Sequence, residues 1–132
     1  MRIIDSKIIT EAVSDLCVGA NIVLRSDALF ALKTAFKKEK NQRAKNILEK
    51  IIENASIAKK EKLAICQDTG LPSVFVETGQ DVKIKGDLRV AINKGIEDGY
   101  KKGYLRNSVI RDPLVRGKSG FAPGITHFDI VK

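Results

Sequence analysis

The chain has 132 residues, 43% of them hydrophobic, and its 24 lysines and arginines against 16 aspartates and glutamates give a formal net charge of +8. This length predicts a single domain, and no apolar run approaches the roughly 20 residues that a membrane-spanning helix requires. The lysines are scattered and lack interleaved aromatic residues, so the charge favours a solvated surface over a nucleic-acid interface. The N-terminus has no apolar segment typical of a secretory signal, which predicts a cytoplasmic protein.

Three amphipathic helices are predicted in the first half, because apolar residues recur there with a period near 3.6. They span residues 6 to about 22, 26 to about 38 and 41 to about 59, and the Ser-Asp pair at the start of the second is a suitable N-cap. The apolar stripe of the first helix contains Ile8, Ile9, Ala12, Val13, Leu16, Cys17 and Ala20. A cysteine on such a stripe is expected to be a small core residue.

Strands are predicted in the second half. Residues 73–76 are rich in β-branched and aromatic side chains, and residues 82–85 alternate strictly between apolar and charged. The turn residues at 79–81 allow these two runs to form a hairpin. A short strand at residues 109–110 and a final alternating strand at residues 125–131 are also expected.

A fourth helix is predicted between the second and third of these strands, from a cap at Asp87 to about residue 102. Gly95 and Gly99 lie on its apolar face and indicate close approach to a neighbouring backbone. The whole pattern predicts an α+β fold in one domain, residues 1–132, with a helical N-terminal half packed on a small mixed β-sheet.

The most unusual stretch is residues 65–72, where a thiol, an amide, a carboxyl and a hydroxyl occupy successive positions before a glycine and a proline. Such a cluster favours a loop that presents functional groups to a small ligand. On chemistry alone, Cys66 is a candidate nucleophile or metal ligand. A nucleophile needs a base, and the only histidine, His127, is distant in sequence and expected to be structural. An iron–sulfur cluster takes three or four thiolates, and the chain has two cysteines.

The hexapeptide Ile-Cys-Gln-Asp-Thr-Gly at residues 65–70 resembles the signature of the iron–sulfur hydro-lyases of the class I fumarase and L-tartrate dehydratase family. The similarity is to the N-terminal or α-subunit part of that family and covers nearly the whole chain in the right order. It continues in Tyr-Leu-Arg-Asn-Ser at 104–108 and Asp-Pro-Leu at 112–114. Further matches lie at residues 53–58, 74–76, 79–80, 87–88, 91–92 and 95.

The resemblance implies roles for four residues. In this family three cysteines hold a [4Fe–4S] cluster, and one iron stays open as a Lewis acid for the substrate. Cys66 matches the first cluster ligand, while Gln67 and Asp68 match substrate contacts, with Asp68 as a proton donor or acceptor. Arg106 matches a residue that binds substrate carboxylate, and its planar guanidinium suits a dicarboxylate.

The chain departs from the family pattern in two ways. Family members are longer, and their other two cluster cysteines lie in the part that this chain lacks. The chain is therefore expected to be incomplete and inactive alone, with the remaining α region and a β subunit or C-terminal domain completing an oligomeric enzyme. Residues 118–123 also lack the polar residues that the family has there, so no role is transferred to them or to His127.

The function predicted from the resemblance is part of an enzyme that reversibly adds water to a small dicarboxylate, fumarate to L-malate. One alternative is the α subunit of an L-tartrate dehydratase. Another is a non-catalytic fragment or pseudo-subunit that binds a partner chain. Partners other than substrate and protein, namely nucleic acid and membrane, are not expected.

Overall fold

The computed structural model describes residues 1–132 and contains four helices and four strands. In chain order the elements are β1 (Arg2–Asp5), α1 (Ser6–Ile22), α2 (Ser26–Lys38), α3 (Gln42–Glu61), β2 (Ser73–Gly79), β3 (Val82–Lys85), α4 (Leu88–Lys102) and β4 (Ile125–Val131). The predicted α+β class and the helical N-terminal half are confirmed. None of the helices combines the length and the apolarity needed to cross a membrane.

The chain divides into two compact units, one of residues 19–67 and one of residues 1–18 with 68–132. The first is built on α2 and α3. Asn41 caps α3 by accepting a hydrogen bond from the Ala44 N–H at 3.1 Å, and Lys62 ends the helix in the left-handed conformation with φ of 56°. The predicted bounds of α2 are confirmed, but Arg25 occupies its N-cap position without a side-chain cap.

The second unit depends on close contact between α1 and α4. A Cβ built on Gly95 would lie 2.6 Å from the Thr10 carbonyl oxygen, and one on Gly99 would lie 2.5 Å from that of Ser14. The predicted close approach is confirmed, and its partner is α1. The buried residues of α4 are Ala91, Ile92, Gly95, Ile96, Gly99 and Tyr100.

The buried face of α1 is narrower than the apolar stripe suggested. Val13 and Cys17 are buried, but Ile8 and Leu16 are 59% and 69% exposed. Ser14 is buried instead, because its backbone lies against Gly99. The contact between two helix backbones thus selects which residues of the helix are covered.

The strands form two separate parallel pairs. The predicted hairpin of residues 73–76 with 82–85 is therefore wrong, and the strands do not form the one mixed sheet that was predicted. β1 pairs with β3, and β2 pairs with β4 along seven residues. A two-residue hairpin loop needs positive φ at one or both central positions, and neither Gln80 nor Asp81 adopts it. The strand predicted at residues 109–110 is a single bridge from Val109 to Gly120, while the final strand is confirmed.

The contact between α1 and α4 gives the first prediction. Gly95→Ala should lower the free energy of unfolding, because overpacking against the rigid Thr10 carbonyl costs about 1–3 kcal/mol and outweighs the roughly 1 kcal/mol gain in helix propensity. Urea denaturation followed by circular dichroism measures the change. The matched control is Gly19→Ala in α1, where nothing lies within 4 Å of the new methyl group and a small increase in stability is expected. Equal stability changes in the two variants would contradict this account of the contact.

Candidate functional site

Residues 62–72, which contain the polar cluster, connect α3 to β2 and form neither helix nor strand. The left-handed Lys62 turns the chain away from the axis of α3. Within the helical unit, Ile65 is then held twice. Its N–H donates to the Asn21 carbonyl oxygen at 2.9 Å, and its own carbonyl oxygen accepts from Asn54 Nδ2 at 2.8 Å. The backbone immediately before Cys66 is therefore fixed at both of its polar groups.

The two cysteines lie in contrasting environments. Cys66 is exposed, as are Gln67 and Asp68, whereas Cys17 is buried, and neither cysteine forms a disulfide. Burial raises the pKa of the Cys17 thiol above its usual value, which keeps it in the neutral form that suits a helix core. The expectation that Cys17 is a core residue agrees with this placement.

In the unit of residues 1–18 and 68–132, Thr69 of the polar stretch is held beside Arg106. The buried Tyr100 of α4 donates from its hydroxyl to the Thr69 carbonyl oxygen at 2.9 Å. Thr69 Oγ1 in turn donates to the Arg106 carbonyl oxygen at 3.3 Å. Gly70 follows with φ of 64°, a value that favours glycine. Two stretches of sequence that the family resemblance singled out, around Asp68 and around Arg106, thus meet in one unit.

Sequence reasoning did not single out Tyr100, which makes this junction. A signal for it exists, since Tyr100 continues the apolar stripe of α4 four residues after Ile96. Its ring also lies 6.1 Å from that of Phe121 in a tilted arrangement. Phe121 belongs to residues 118–123, where the chain departs from the family pattern, so this segment contributes an apolar contact to the tyrosine.

A second connection ties the end of the loop to α4 and β4. The Gly124 N–H donates to Asn93 Oδ1 at 3.1 Å, and the Ile125 N–H donates to the Pro72 carbonyl oxygen at 2.8 Å. A Cβ on Gly124 would lie 2.5 Å from Ile96 Cδ1. His127 follows on β4 and stacks on Phe75 with ring centroids 4.6 Å apart, a position that agrees with the structural role expected for it.

The side chains present do not form a complete metal site. No group of three or more histidine, cysteine, aspartate or glutamate side chains is arranged to hold a metal ion. A cluster such as [4Fe–4S] requires at least three ligands, so this chain alone does not fit one. The chemistry it offers is a single exposed thiol, followed in sequence by an amide and a carboxyl group.

Removal of the Tyr100 hydroxyl tests the junction. Tyr100→Phe should lower the free energy of unfolding by about 1–2 kcal/mol, because the Thr69 carbonyl loses its buried donor. It should also increase amide exchange at Thr69 and Gly70, which hydrogen–deuterium exchange measures. Tyr104→Phe is the control, since Tyr104 is 96% exposed and should leave both quantities unchanged. Unaltered exchange at Thr69 in the Tyr100 variant would show that the hydroxyl does not hold the loop.

Comparison with known proteins identifies the family. The model of the fumarate hydratase (Fumerase) family matches residues 10–132. A protein of Methanocaldococcus jannaschii named "Putative L(+)-tartrate dehydratase subunit alpha" is 36% identical over 110 residues, which are 82% of this chain and 38% of that relative. The chain thus spans well under half the length of this relative.

The matched residues include most of α1 and every later element through β4, together with the loop of residues 62–72 and Arg106. The resemblance noted in the sequence is thereby confirmed, and the chain belongs to the fumarate hydratase (Fumerase) family.

Proposed function

We propose that this chain is the N-terminal portion of the α region of an iron–sulfur hydro-lyase, which reversibly adds water to a small dicarboxylate. The observation that carries the proposal is the family's Cys-Gln-Asp-Thr-Gly sequence at residues 66–70, in which Thr69 is held by the Tyr100 hydroxyl and is itself bonded to the Arg106 carbonyl oxygen. Fumarate and L-malate are the substrate pair that we propose first. The name of the archaeal relative supports L-tartrate as the second candidate.

Cys66 is the residue that we propose as a ligand of a [4Fe–4S] cluster. It is exposed on the loop, and the further thiolates come from the part of the hydro-lyase that these 132 residues do not include. When bound, such a cluster supplies a Lewis acid that stabilises a departing hydroxide. The remaining α region and a β subunit or C-terminal domain complete the site in an oligomer, in this proposal. The cytoplasmic location stays a prediction.

Arg106 is the residue that we propose to bind a substrate carboxylate. Its side chain is exposed and takes part in none of the ion pairs of the chain, so its guanidinium is available for an external anion. The hydrogen bond from Thr69 Oγ1 holds the Arg106 backbone next to Thr69. A planar guanidinium can form two parallel hydrogen bonds with one carboxylate, which also orients the substrate.

Gln67 and Asp68 are the remaining groups that we propose to contact substrate. The Gln67 amide offers both a donor and an acceptor. The Asp68 carboxyl is proposed as the group that gives or takes a proton at the substrate carbon, since a positioned carboxyl typically contributes 10²–10⁴-fold through such catalysis. Both side chains are exposed in this chain, so substrate reaches them from solvent.

The proposed cluster ligand is tested in the assembled enzyme, reconstituted anaerobically with iron and sulfide. Cys66→Ser should abolish both the visible absorption of the cluster and the hydration of fumarate, because one thiolate ligand is lost. Cys17→Ala is the matched control and should retain both, at some cost in stability through the cavity left in the core. An intact cluster in the Cys66 variant would refute the assignment. Absence of turnover with fumarate, L-malate and L-tartrate in the unmodified assembly would favour the non-catalytic alternative.

The proposed carboxylate contact is tested by Arg106→Lys. We expect KM for the dicarboxylate to rise about 10- to 100-fold, since a charge-assisted hydrogen bond contributes roughly 1.5–3 kcal/mol and lysine cannot form the bidentate pair. Steady-state kinetics with fumarate measure the change, and Arg89→Lys on the exposed face of α4 is the control. An unchanged KM in the Arg106 variant would exclude Arg106 from carboxylate binding.

The proposed proton transfer by Asp68 is tested by Asp68→Asn, which should lower kcat while the cluster absorption persists.

A further inference from the structure

The outer edge of β4, meaning the side of this strand that faces away from β2, carries backbone groups without a strand partner. The Ile125 N–H donates to the Pro72 carbonyl oxygen, and the Val131 carbonyl oxygen accepts from the Gln80 N–H at 3.2 Å. The odd-numbered residues of β4 therefore point their backbone groups toward β2. Because these directions alternate along a strand, those of Thr126, Phe128 and Ile130 point to the outer edge.

Most of these outward groups are unused. β4 pairs with β2 alone, and the Ile130 N–H donates to the carboxylate of its neighbour Asp129 at 2.9 Å. The N–H groups of Thr126 and Phe128 and the three outward carbonyls have no backbone partner. This edge is therefore a template on which another strand can add.

The faces of β4 are also uncovered. All seven residues of the strand are exposed, and Phe128 and Ile130 show 49% and 59% of their surface to solvent. Parallel sheets in folded proteins are covered on both faces, and a two-stranded sheet alone is at best marginally stable. The apolar residues beside the outer edge thus indicate a covering polypeptide.

The charged residues of β2 and β4 indicate that the covering polypeptide carries a basic side chain. Glu77 of β2 and Asp129 of β4 are direct register partners, so two carboxylates lie side by side on one face. Neither takes part in an ion pair, although the chain has a net charge of +8. Like charges directly opposite each other destabilise a sheet, and a basic side chain on the next strand would offset this repulsion.

We propose that a β-strand of the polypeptide that completes the hydro-lyase adds to the outer edge of β4. That strand places apolar side chains next to Phe128 and Ile130, and a lysine or arginine next to Asp129, on the face of the sheet that also carries Glu77. The inference rests on the proposed function for the identity of this polypeptide. More than half of the archaeal relative's length lies outside the match, which is ample to supply such a strand.

Residue-resolved hydrogen–deuterium exchange tests the proposal. It compares the 132-residue chain alone with the assembly purified anaerobically through an affinity tag on this chain. We expect the Thr126 and Phe128 amides to exchange at least 100-fold more slowly in the assembly. The His127 and Asp129 amides, which point toward β2, are the internal reference and should change less. Equal rates at Thr126 and Phe128 in the two samples, or recovery of the tagged chain without another polypeptide, would overturn the proposal.

Charge reversal provides the second test. Asp129→Lys should lower the yield of the co-purified polypeptide at least 10-fold, because it replaces the attraction for a basic residue with repulsion. Glu49→Lys on the exposed face of α3 is the matched control and should leave the yield unchanged. Equal yields for the two variants would overturn the charge complementarity. Concentration-dependent protection of the Thr126 and Phe128 amides in the isolated chain would identify a second copy as the occupant and also overturn the proposal.

Hydration of fumarate and of L-tartrate by the same assembly separates this inference from the proposed function. An active assembly with rapid exchange at the outer edge of β4 would refute the strand addition and leave the function standing. An inactive assembly with a protected edge and a charge-dependent yield would refute the function and leave the strand addition standing.

Discussion

The contact between the backbones of α1 and α4 is the constraint on which the larger unit depends. It requires Gly95 and Gly99, because a methyl group at either position would lie within 2.6 Å of a carbonyl oxygen of α1. α4 in turn supplies Tyr100, which holds the Thr69 carbonyl, and Asn93, which holds the Gly124 N–H. The positions of Thr69 and of the start of β4 therefore follow from how closely these two helices approach.

The helices could be predicted well from sequence, because their signals are local. Periodicity gave the bounds of α1 and α2, but the Ser-Asp pair does not cap α2, and the cap of α3 at Asn41 was not predicted. The strand pairing could not be predicted in the same way. Residues 73–79 and 82–85 are adjacent in sequence but pair with β4 and β1, and such non-local choices depend on packing that a single sequence does not display.

The candidate site shows the same division between local and non-local information. The residue types at 66–69 indicated a ligand-binding loop, and family resemblance added Arg106. Neither revealed that Tyr100 and Thr69 connect these two stretches. That connection depends on the buried hydroxyl of an otherwise apolar helix face, which periodicity reads only as another core position. The acidic pair of Glu77 and Asp129 was hidden for a similar reason, since it exists only in the register of β2 with β4.

The parallel pairing of both sheets has a consequence for the order of folding. Arg2 pairs with Val82 and Ser73 with Ile125, so each sheet must close a long stretch of chain before it gains any hydrogen bonds. α2 and α3 are joined by a short connection and need no such closure. During synthesis the helical unit can therefore form before β2 has a partner, because β4 is the last of these strands to be synthesised. Until then β2 exposes both of its edges, and this interval is when the chain is most vulnerable to aggregation.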